Sequence, residues 1–276
     1  VLEIVESAHP LHNHYSTENN VGAYCFKADQ LWERLSFLSP DLKGELLLTD
    51  LIKITIGQCG VVETMEAEDR DEVIGVNTRI DLARAENVLR FRILNYWMLN
   101  GITIKDPPST YIDWDAEIGG DSIIFPNCHI TGSTTIGTES VIGPNAVIHT
   151  SHIGNQCTIT SCFIEGASLD SFVRVGPYSH LRPGTESASD VQIGNYVEIK
   201  QSKIGKGTKI GHFAYIGDST LGQQVNIGAG TITCNFDGVN KHQTIIGDNA
   251  LIGASTLLVA PVTIGNGATT GANSVV

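Results

Sequence analysis

The sequence predicts a mainly β chain whose C-terminal part is a parallel β-helix of hexapeptide repeats, and three observations predict it. Aliphatic residues recur every six positions: Ile112, Ile118, Ile124, Ile130, Ile136, Ile142 and Ile148 form one ladder. Ile246, Ile252, Leu258, Ile264, Thr270 and Val276 form a second, with a looser one between them through Ile193, Ile199, Ile204, Ile210, Ile216, Leu221 and Ile227. A period of six marks a solenoid in which three hexapeptides make one triangular coil and stacked coils bury a shared column. Glycine often follows the aliphatic, as at Gly137, Gly143, Gly211 and Gly265. Three residues after the aliphatic stand Asp121, Asn127, Asn145, Asn249, Gly267 and Asn273, the residue types that best tolerate the left-handed backbone a sharp corner needs. An antiparallel sandwich also has many short strands, but it does not hold a six-residue phase over so many steps.

Taken in order, the chain begins as mixed α/β. Residues 21–28 read as a strand, 29–38 as an amphipathic helix, 47–56 as helix or buried strand, and 61–65 as another strand. This is too little for an independent domain and is expected to close a larger one. The chain opens on Val1, inside an apparent strand and without a methionine, so a fragment is expected. Residues 79–100 carry helix formers without Gly or Pro, and Gly101 supplies a stop. A helix of that length reaches about 30 Å and suits a connecting arm. Pro107-Pro108 breaks the chain before the first hexapeptide. Residues 183–190 and 231–244 lack the period and are expected to leave the coil as loops, where function commonly resides.

Composition narrows the function. The net charge of −13 argues against nucleic acid or an anionic membrane as partner. No Lys or Arg lies between Asp106 and Val173, whereas Arg174, Arg182, Lys200, Lys203, Lys206, Lys209 and Lys241 follow. An anionic substrate of the solenoid would bind there, although the same residues also read as solubilising charge. Six cysteines without a CxxC pair or framework spacing fit reduced thiols in the cytoplasm, with no signal peptide and no apolar run long enough to span a bilayer.

Four strings stand in order: 181–184 (LRPG), 194–200 (GNYVEIK), 211–215 (GHFAY) and 225–238 (VNIGAGTITCNFDG). Together they resemble the bacterial bifunctional family that is both glucosamine-1-phosphate N-acetyltransferase and N-acetylglucosamine-1-phosphate uridylyltransferase. That family makes UDP-N-acetylglucosamine for the cell wall. Ile4-Val5-Glu6, Gly44-Glu45 with Thr49-Asp50, and Gly75-Val76-Asn77 resemble the late part of its uridylyltransferase domain. The resemblance implies residues 1–77 as the end of an α/β nucleotidyltransferase domain, 78–101 as a helical linker, and 102–276 as a left-handed β-helix acetyltransferase domain. It also implies a fragment lacking the N-terminal nucleotide-binding part and the extreme C-terminus, and a homotrimer with sites between subunits.

Acetyl transfer to a sugar amine needs a base, a phosphate holder and a polarised thioester. A lone turn histidine is ordinarily solvated surface; the match of 211–215 to the family's catalytic string implies His212 as general base. The resemblance likewise implies Arg182 and Lys200 as holders of the glucosamine 1-phosphate phosphate, where a planar fork and a compact charge are apt. Tyr215 and Asn226 are implied as sugar contacts. Asn235, Phe236, Lys241, Ala254 and Ala272 are implied for acetyl-CoA, with Phe236 replacing a common Tyr and Ala254 a common Ser. On the uridylyltransferase side the resemblance retains Glu6 and Asn20 as sugar contacts and Asn77 as a Mg²⁺-site residue. The glycine-rich UTP loop and its metal-binding aspartate have no counterpart in these 276 residues, so this chain is not expected to transfer UMP.

Rival functions are a sugar-phosphate nucleotidyltransferase whose β-helix only trimerises or regulates, a bare trimerisation module, and a zinc carbonic anhydrase on the same fold. The last needs three converging histidines, usually with a His-x4-His pair, and His149 and His152 are only three apart.

Overall fold

The six-residue period folds into the sides of a triangle. A computed structural model of the chain describes residue 4, residues 19–41 and residues 43–276. It divides into two compact units, residues 1–86 and 87–276.

In the second unit the aliphatic of each hexapeptide is an inward residue of a short strand, as in Ile123–Ile124 and Val141–Ile142. The strands stack in parallel into three nine-stranded sheets. The first sheet runs from Thr103–Ile104 to Leu251–Ile252, the second from Tyr111–Ile112 to Leu257–Val259, and the third from Glu117–Ile118 to Val262–Ile264. Each residue therefore sits on its equivalent one coil earlier, Ile124 on Ile104 and Ile142 on Ile124. The buried column follows from this register: Ile124, Ile130, Ile142, Ile148, Ile210, Ile216, Ile252 and Leu258 are 0% exposed, whereas Val276, the last rung, is 44% exposed. Asp121, Asn127, Asn145, Asn249, Gly267 and Asn273 all take positive φ, between 58° and 65°. Asparagine also bonds from corner to corner, Asn127 Nδ2 donating to Asn145 Oδ1 at 3.1 Å.

One expected interruption is not one. Thr185–Ser187 is a regular strand of the third sheet, paired to Ser168–Leu169 and Ser202–Ile204. The ladder is hidden because Thr185 and Ser187, both buried, occupy the inward positions. The Thr185 hydroxyl is satisfied by the carbonyls of Arg182 (2.7 Å) and Ile199 (3.1 Å). The second interruption is real but shorter than expected. Ile232–Cys234 and Thr244–Ile246 are strands, and only residues 235–243 leave the coil.

The first unit contains α1 (Ala28–Leu35) and α2 (Asp50–Gly57), which settles the ambiguous segment 47–56 as helix. Arg34 on α1 joins them, donating to Gln58 Oε1 at 3.1 Å. The strands expected over 21–28 and 61–65 are not formed. Val21, Val61 and Met65 are exposed, with no neighbouring strand among the described residues to pair with. Helix α3 (Arg79–Leu99) crosses the division between the units and ends before Gly101, whose φ is +89°. Its residues Ile93 and Leu94 join the solenoid core, and the Arg90 guanidinium lies over the Tyr111 ring at 4.5 Å, so the helix end covers the first coil. Among the described residues no helix is long and apolar enough to cross a membrane.

If the aliphatic column dominates stability, Ile148→Ala should destabilise the solenoid by about 2–5 kcal/mol. Asn145→Ala should cost about 1 kcal/mol, for a strained corner and a lost amide bond. Denaturant unfolding followed by circular dichroism compares them, and a larger loss at Asn145 would shift the weight from the column to the corners.

Candidate active site

Two clusters of polar side chains stand out, and both arise because stacking turns sequence spacing into vertical columns. The first lies on the outer face of the first sheet. Strand Gln192–Asn195 pairs with Lys209–His212 so that Asn195 stands opposite His212. That close pairing depends on Gly194, where a Cβ would run into the Gly211 carbonyl oxygen. Asn195 Oδ1 is hydrogen-bonded to His212 Nδ1. An amide oxygen can only accept, so Nδ1 carries the proton and Nε2 presents its lone pair. A shallow groove of about 550 Å³ runs beside the pair, lined by His212, Lys209, Arg174, Gln192 and Asn226 over a floor that includes Gly194 and Gly211.

Above His212 the column continues in small residues. Gly230 N–H donates to His212 O, Ser255 N–H to Ala229 O, and Asn273 N–H to Ala254 O, so Ala229, Ala254 and Ala272 follow on successive coils. At about 4.8 Å per coil the track from His212 to Ala272 is roughly 14 Å long. Ala254 and Ala272 are both exposed on it.

The second cluster lies where the second sheet turns the corner. Lys200 ends one strand of that sheet, opposite Gly217 on the next coil. Arg182, one coil below Lys200, donates through Nη1 to Glu198 Oε1 at 2.9 Å. Gly217 clears space for two side chains: a Cβ there would lie 2.5 Å from Tyr215 Oη and 2.7 Å from Asn235 Nδ2. Asn235, buried, donates to Asp218 Oδ2. The excursion 235–243 is closed on itself: Asp237 accepts from the N–H groups of Val239 (2.8 Å) and Asn240 (2.7 Å) and pairs with His242 at 2.6 Å. Those bonds, the Asn240 N–H first, hold the Asp237 carboxyl far below the usual carboxylate range. An antiparallel bridge joins Phe236 to Lys241, and Phe236 is exposed. The loop brings Lys241 against Lys200. Contact with Lys241, followed by partial loss of water and the Arg182 charge, pushes the Lys200 ammonium below the ordinary lysine range, while Asp218 opposes the shift.

The expected acetyl-transfer residues thus fall into two groups. His212, Asn226, Ala254 and Ala272 belong to the first sheet and its corner; Arg182, Lys200, Tyr215, Asn235, Phe236 and Lys241 belong to the second sheet and its loop. Three partners had not been singled out: Asn195, Glu198 and Asp218. A signal for the first exists, since Gly194-Asn195 and Gly211-His212 are equivalent pairs one coil apart.

The residues expected on the uridylyltransferase side are described only in part. Glu6 lies outside the described residues. Asn20 and Asn77 are exposed and bond only locally, Asn20 Nδ2 to Tyr24 Oη at 2.6 Å and Asn77 N–H to Asp81 at 3.4 Å. Among the described residues no three His, Cys, Asp or Glu side chains are grouped to hold a metal. His149 and His152 bond to threonines on different sheets, at 3.0 Å to Thr131 and 2.6 Å to Thr135.

Residues 115–150 and 243–276 match the family model for bacterial transferase hexapeptides (six repeats). The chain is 45% identical over 276 residues to the bifunctional protein GlmU of Carboxydothermus hydrogenoformans, covering 99% of this chain and 62% of that protein. It is 44% identical over 260 residues to the GlmU of Streptococcus agalactiae, covering 94% and 57% respectively. A solved UDP-N-acetylglucosamine acyltransferase from Campylobacter jejuni is 19% identical with a TM-score of 0.36, over 56% of this chain and 60% of that one, too weak a likeness to bear on the assignment. The chain spans 57–62% of the length of these two GlmU relatives. Along 99% of its length the chain is thus similar to a stretch of the bifunctional GlmU proteins, and two of its segments carry the bacterial transferase hexapeptide.

Proposed function

We propose that this chain transfers the acetyl group of acetyl-CoA to the amine of glucosamine 1-phosphate, giving N-acetylglucosamine 1-phosphate, and that it works in the cytoplasm as a homotrimer. The observation that carries the proposal is the His212–Asn195 pair, an oriented base with a free Nε2 at the foot of a smooth alanine track. In this reading 102–276 is the acetyltransferase domain, 78–101 its connecting helix and 1–77 the end of a uridylyltransferase domain.

The chemistry follows from those positions. Once the acceptor ammonium has lost a proton to water, its nitrogen attacks the thioester carbonyl carbon. His212 Nε2 accepts the second nitrogen proton as the C–N bond forms, and Asn195 stabilises the resulting imidazolium by holding Nδ1–H. Collapse of the tetrahedral centre breaks the C–S bond, and the imidazolium returns the proton to the departing thiolate. The exposed track Ala229–Ala254–Ala272 takes the extended arm of the donor, and a backbone N–H at a corner polarises the carbonyl. Phosphate is held by Arg182 and Lys200, joined by Lys241.

A ring of copies fits this reading of the two clusters. His212 stands at one end of a side of the triangular coil and Lys200, in register with Gly217, at the other, roughly 16 Å of extended chain away. The amine and the phosphate of a hexosamine 1-phosphate are on adjacent carbons. One acceptor therefore reaches His212 of one copy and the cation cluster of the next, in a closed head-to-tail arrangement. UMP transfer from UTP, and the Mg²⁺ it uses, belong in this reading to the longer relatives. Asn77 is neutral and exposed, and its one carboxylate neighbour, Asp81, is already engaged by Thr78; with no group of three acidic, His or Cys side chains among the described residues, these residues do not fit a magnesium site.

The direct test is thiol release from acetyl-CoA in the presence of glucosamine 1-phosphate; no release with a correctly assembled chain would overturn the proposal. His212→Ala should lower kcat by about 10²–10⁴ without disturbing assembly. Asn195→Ala should lower it by about 10–100-fold, as loss of an orienting partner does. Near-normal turnover in the first variant would remove His212 from the mechanism. Mixing and reassembling His212→Ala chains with Arg182→Ala/Lys200→Ala chains should restore activity that neither has alone. Absence of recovery would place both clusters of a site in one chain.

A further inference from the structure

We propose that Asp218 is a positioning residue of the anion site, latching the loop 235–243 to the coil beneath it and serving as counter-charge to the Lys200–Lys241 pair. The proposal rests on the reading of Arg182, Lys200 and Lys241 as phosphate holders for its charge role, but not for its latch role.

Asp218 sits at a corner with φ +49°, just after the strand Tyr215–Gly217. Three bonds meet on it. Its N–H donates to the Lys200 carbonyl at 3.1 Å, and its own carbonyl accepts from Thr244 N–H at 3.2 Å. Its Oδ2 accepts from Asn235 Nδ2. Asn235 is where the chain leaves the coil and Thr244 is where it returns. One residue therefore ties down both ends of the excursion and also the strand that ends in Lys200. The loop needs little else to be rigid, since Asp237 already closes its interior through Val239, Asn240 and His242. What the interior bonds cannot do is set where the closed loop, and Lys241 on it, sits relative to Lys200. The Asp218 side chain does that where the chain leaves the coil, at Asn235; where it returns, the Asp218 carbonyl accepts from Thr244 N–H and Gln243 Nε2 donates to Thr220 Oγ1 at 3.0 Å, bonds that a substitution of the Asp218 side chain leaves in place.

Charge gives the second role. Lys200 is faced by Lys241 from the loop, by Arg182 from the coil below, and by Asp218 from the coil above. Glu198, on the same strand as Lys200, is engaged by Arg182. Two ammonium groups held in contact repel, and the push of Lys241 on Lys200 is what Asp218 offsets. Asn235 holds Oδ2 of the carboxylate, and with Arg182, Lys200 and Lys241 set against Asp218 and Glu198 the cluster stays net positive for an incoming phosphate.

Asp218→Asn keeps an oxygen that accepts from Asn235 but removes the charge; Asp218→Ala removes both. Hydrogen–deuterium exchange of residues 235–243 in the assembled protein tests the latch with no substrate present. Exchange should quicken by about tenfold or more in Asp218→Ala, and an unchanged rate overturns the latch. Steady-state kinetics across pH tests the charge. In Asp218→Asn the KM for glucosamine 1-phosphate should rise about two- to fivefold, the range of an exposed charge pair, with kcat and the KM for acetyl-CoA little changed. The sign of the pH effect is fixed. Without Asp218, Lys200 gives up its proton at still lower pH, so the alkaline rise in acceptor KM should begin earlier than in the unaltered protein. A coincident pH profile overturns the charge role. If the unaltered protein shows no acetyl transfer, the functional reading fails on its own; the charge role is then read from the pH dependence of inorganic phosphate binding, and the exchange experiment still decides the latch.

Discussion

The parallel register of one coil on the next is the constraint from which the rest of this solenoid follows. Backbone groups of each strand are satisfied by the equivalent strand one coil away, 16 residues on for Val147 and Phe163 and 18 for His180 and Glu198, as where Val147 N–H donates to Cys162 O and Arg182 N–H to Ile199 O. A residue is therefore never alone: it is a rung in a column of equivalents about 4.8 Å apart. Inward columns must be aliphatic or must satisfy their hydroxyls within the coil, and outward columns are free to differ. Every feature of the candidate site is a column property. Asn195 orients His212 because it is the rung below, and Arg182 and Lys200 are adjacent for the same reason.

This accounts for what could be read from the sequence and what could not. The six-residue ladder exposed the fold because isoleucine is conspicuous, and the Asp and Asn corners did so because few residue types accept positive φ. The same logic misled at 183–190, where Thr185 and Ser187 take inward positions and their hydroxyls bond to backbone carbonyls or are simply enclosed. Period alone does not reveal a polar rung. Apolar alternation misled in the opposite direction at 21–28 and 61–65, because a strand requires a partner and periodicity records only a preference. His212, Arg182 and Lys200 were legible through matching strings. Asn195 stands in one of those strings, but its significance, like that of Asp218, depends on what lies one coil away; Asp218 in particular bonds to residues 17 and 26 positions later and 18 earlier.

The corners next to His212 carry the last piece of the argument. Tyr178, Tyr196 and Phe213 all take positive φ, of 62°, 54° and 51°, where aromatic residues are disfavoured. They are also largely exposed, so burial does not compensate them. Their rings instead stack on one another at centroid distances of 5.5 and 5.2 Å. Such contacts contribute about 0.5–1.5 kcal/mol each, comparable to the backbone cost of the corner. Two such contacts offset only part of the cost of three corners, and the consequence of the pile is positional. Tyr196 directly follows Asn195, and Phe213 directly follows His212. A ring that slid out of the stack would carry its neighbour with it and part the amide from the imidazole. Backbone strain held beside a site commonly fixes geometry in this way, and here the stacked corners hold the His212 imidazole beside the Asn195 amide.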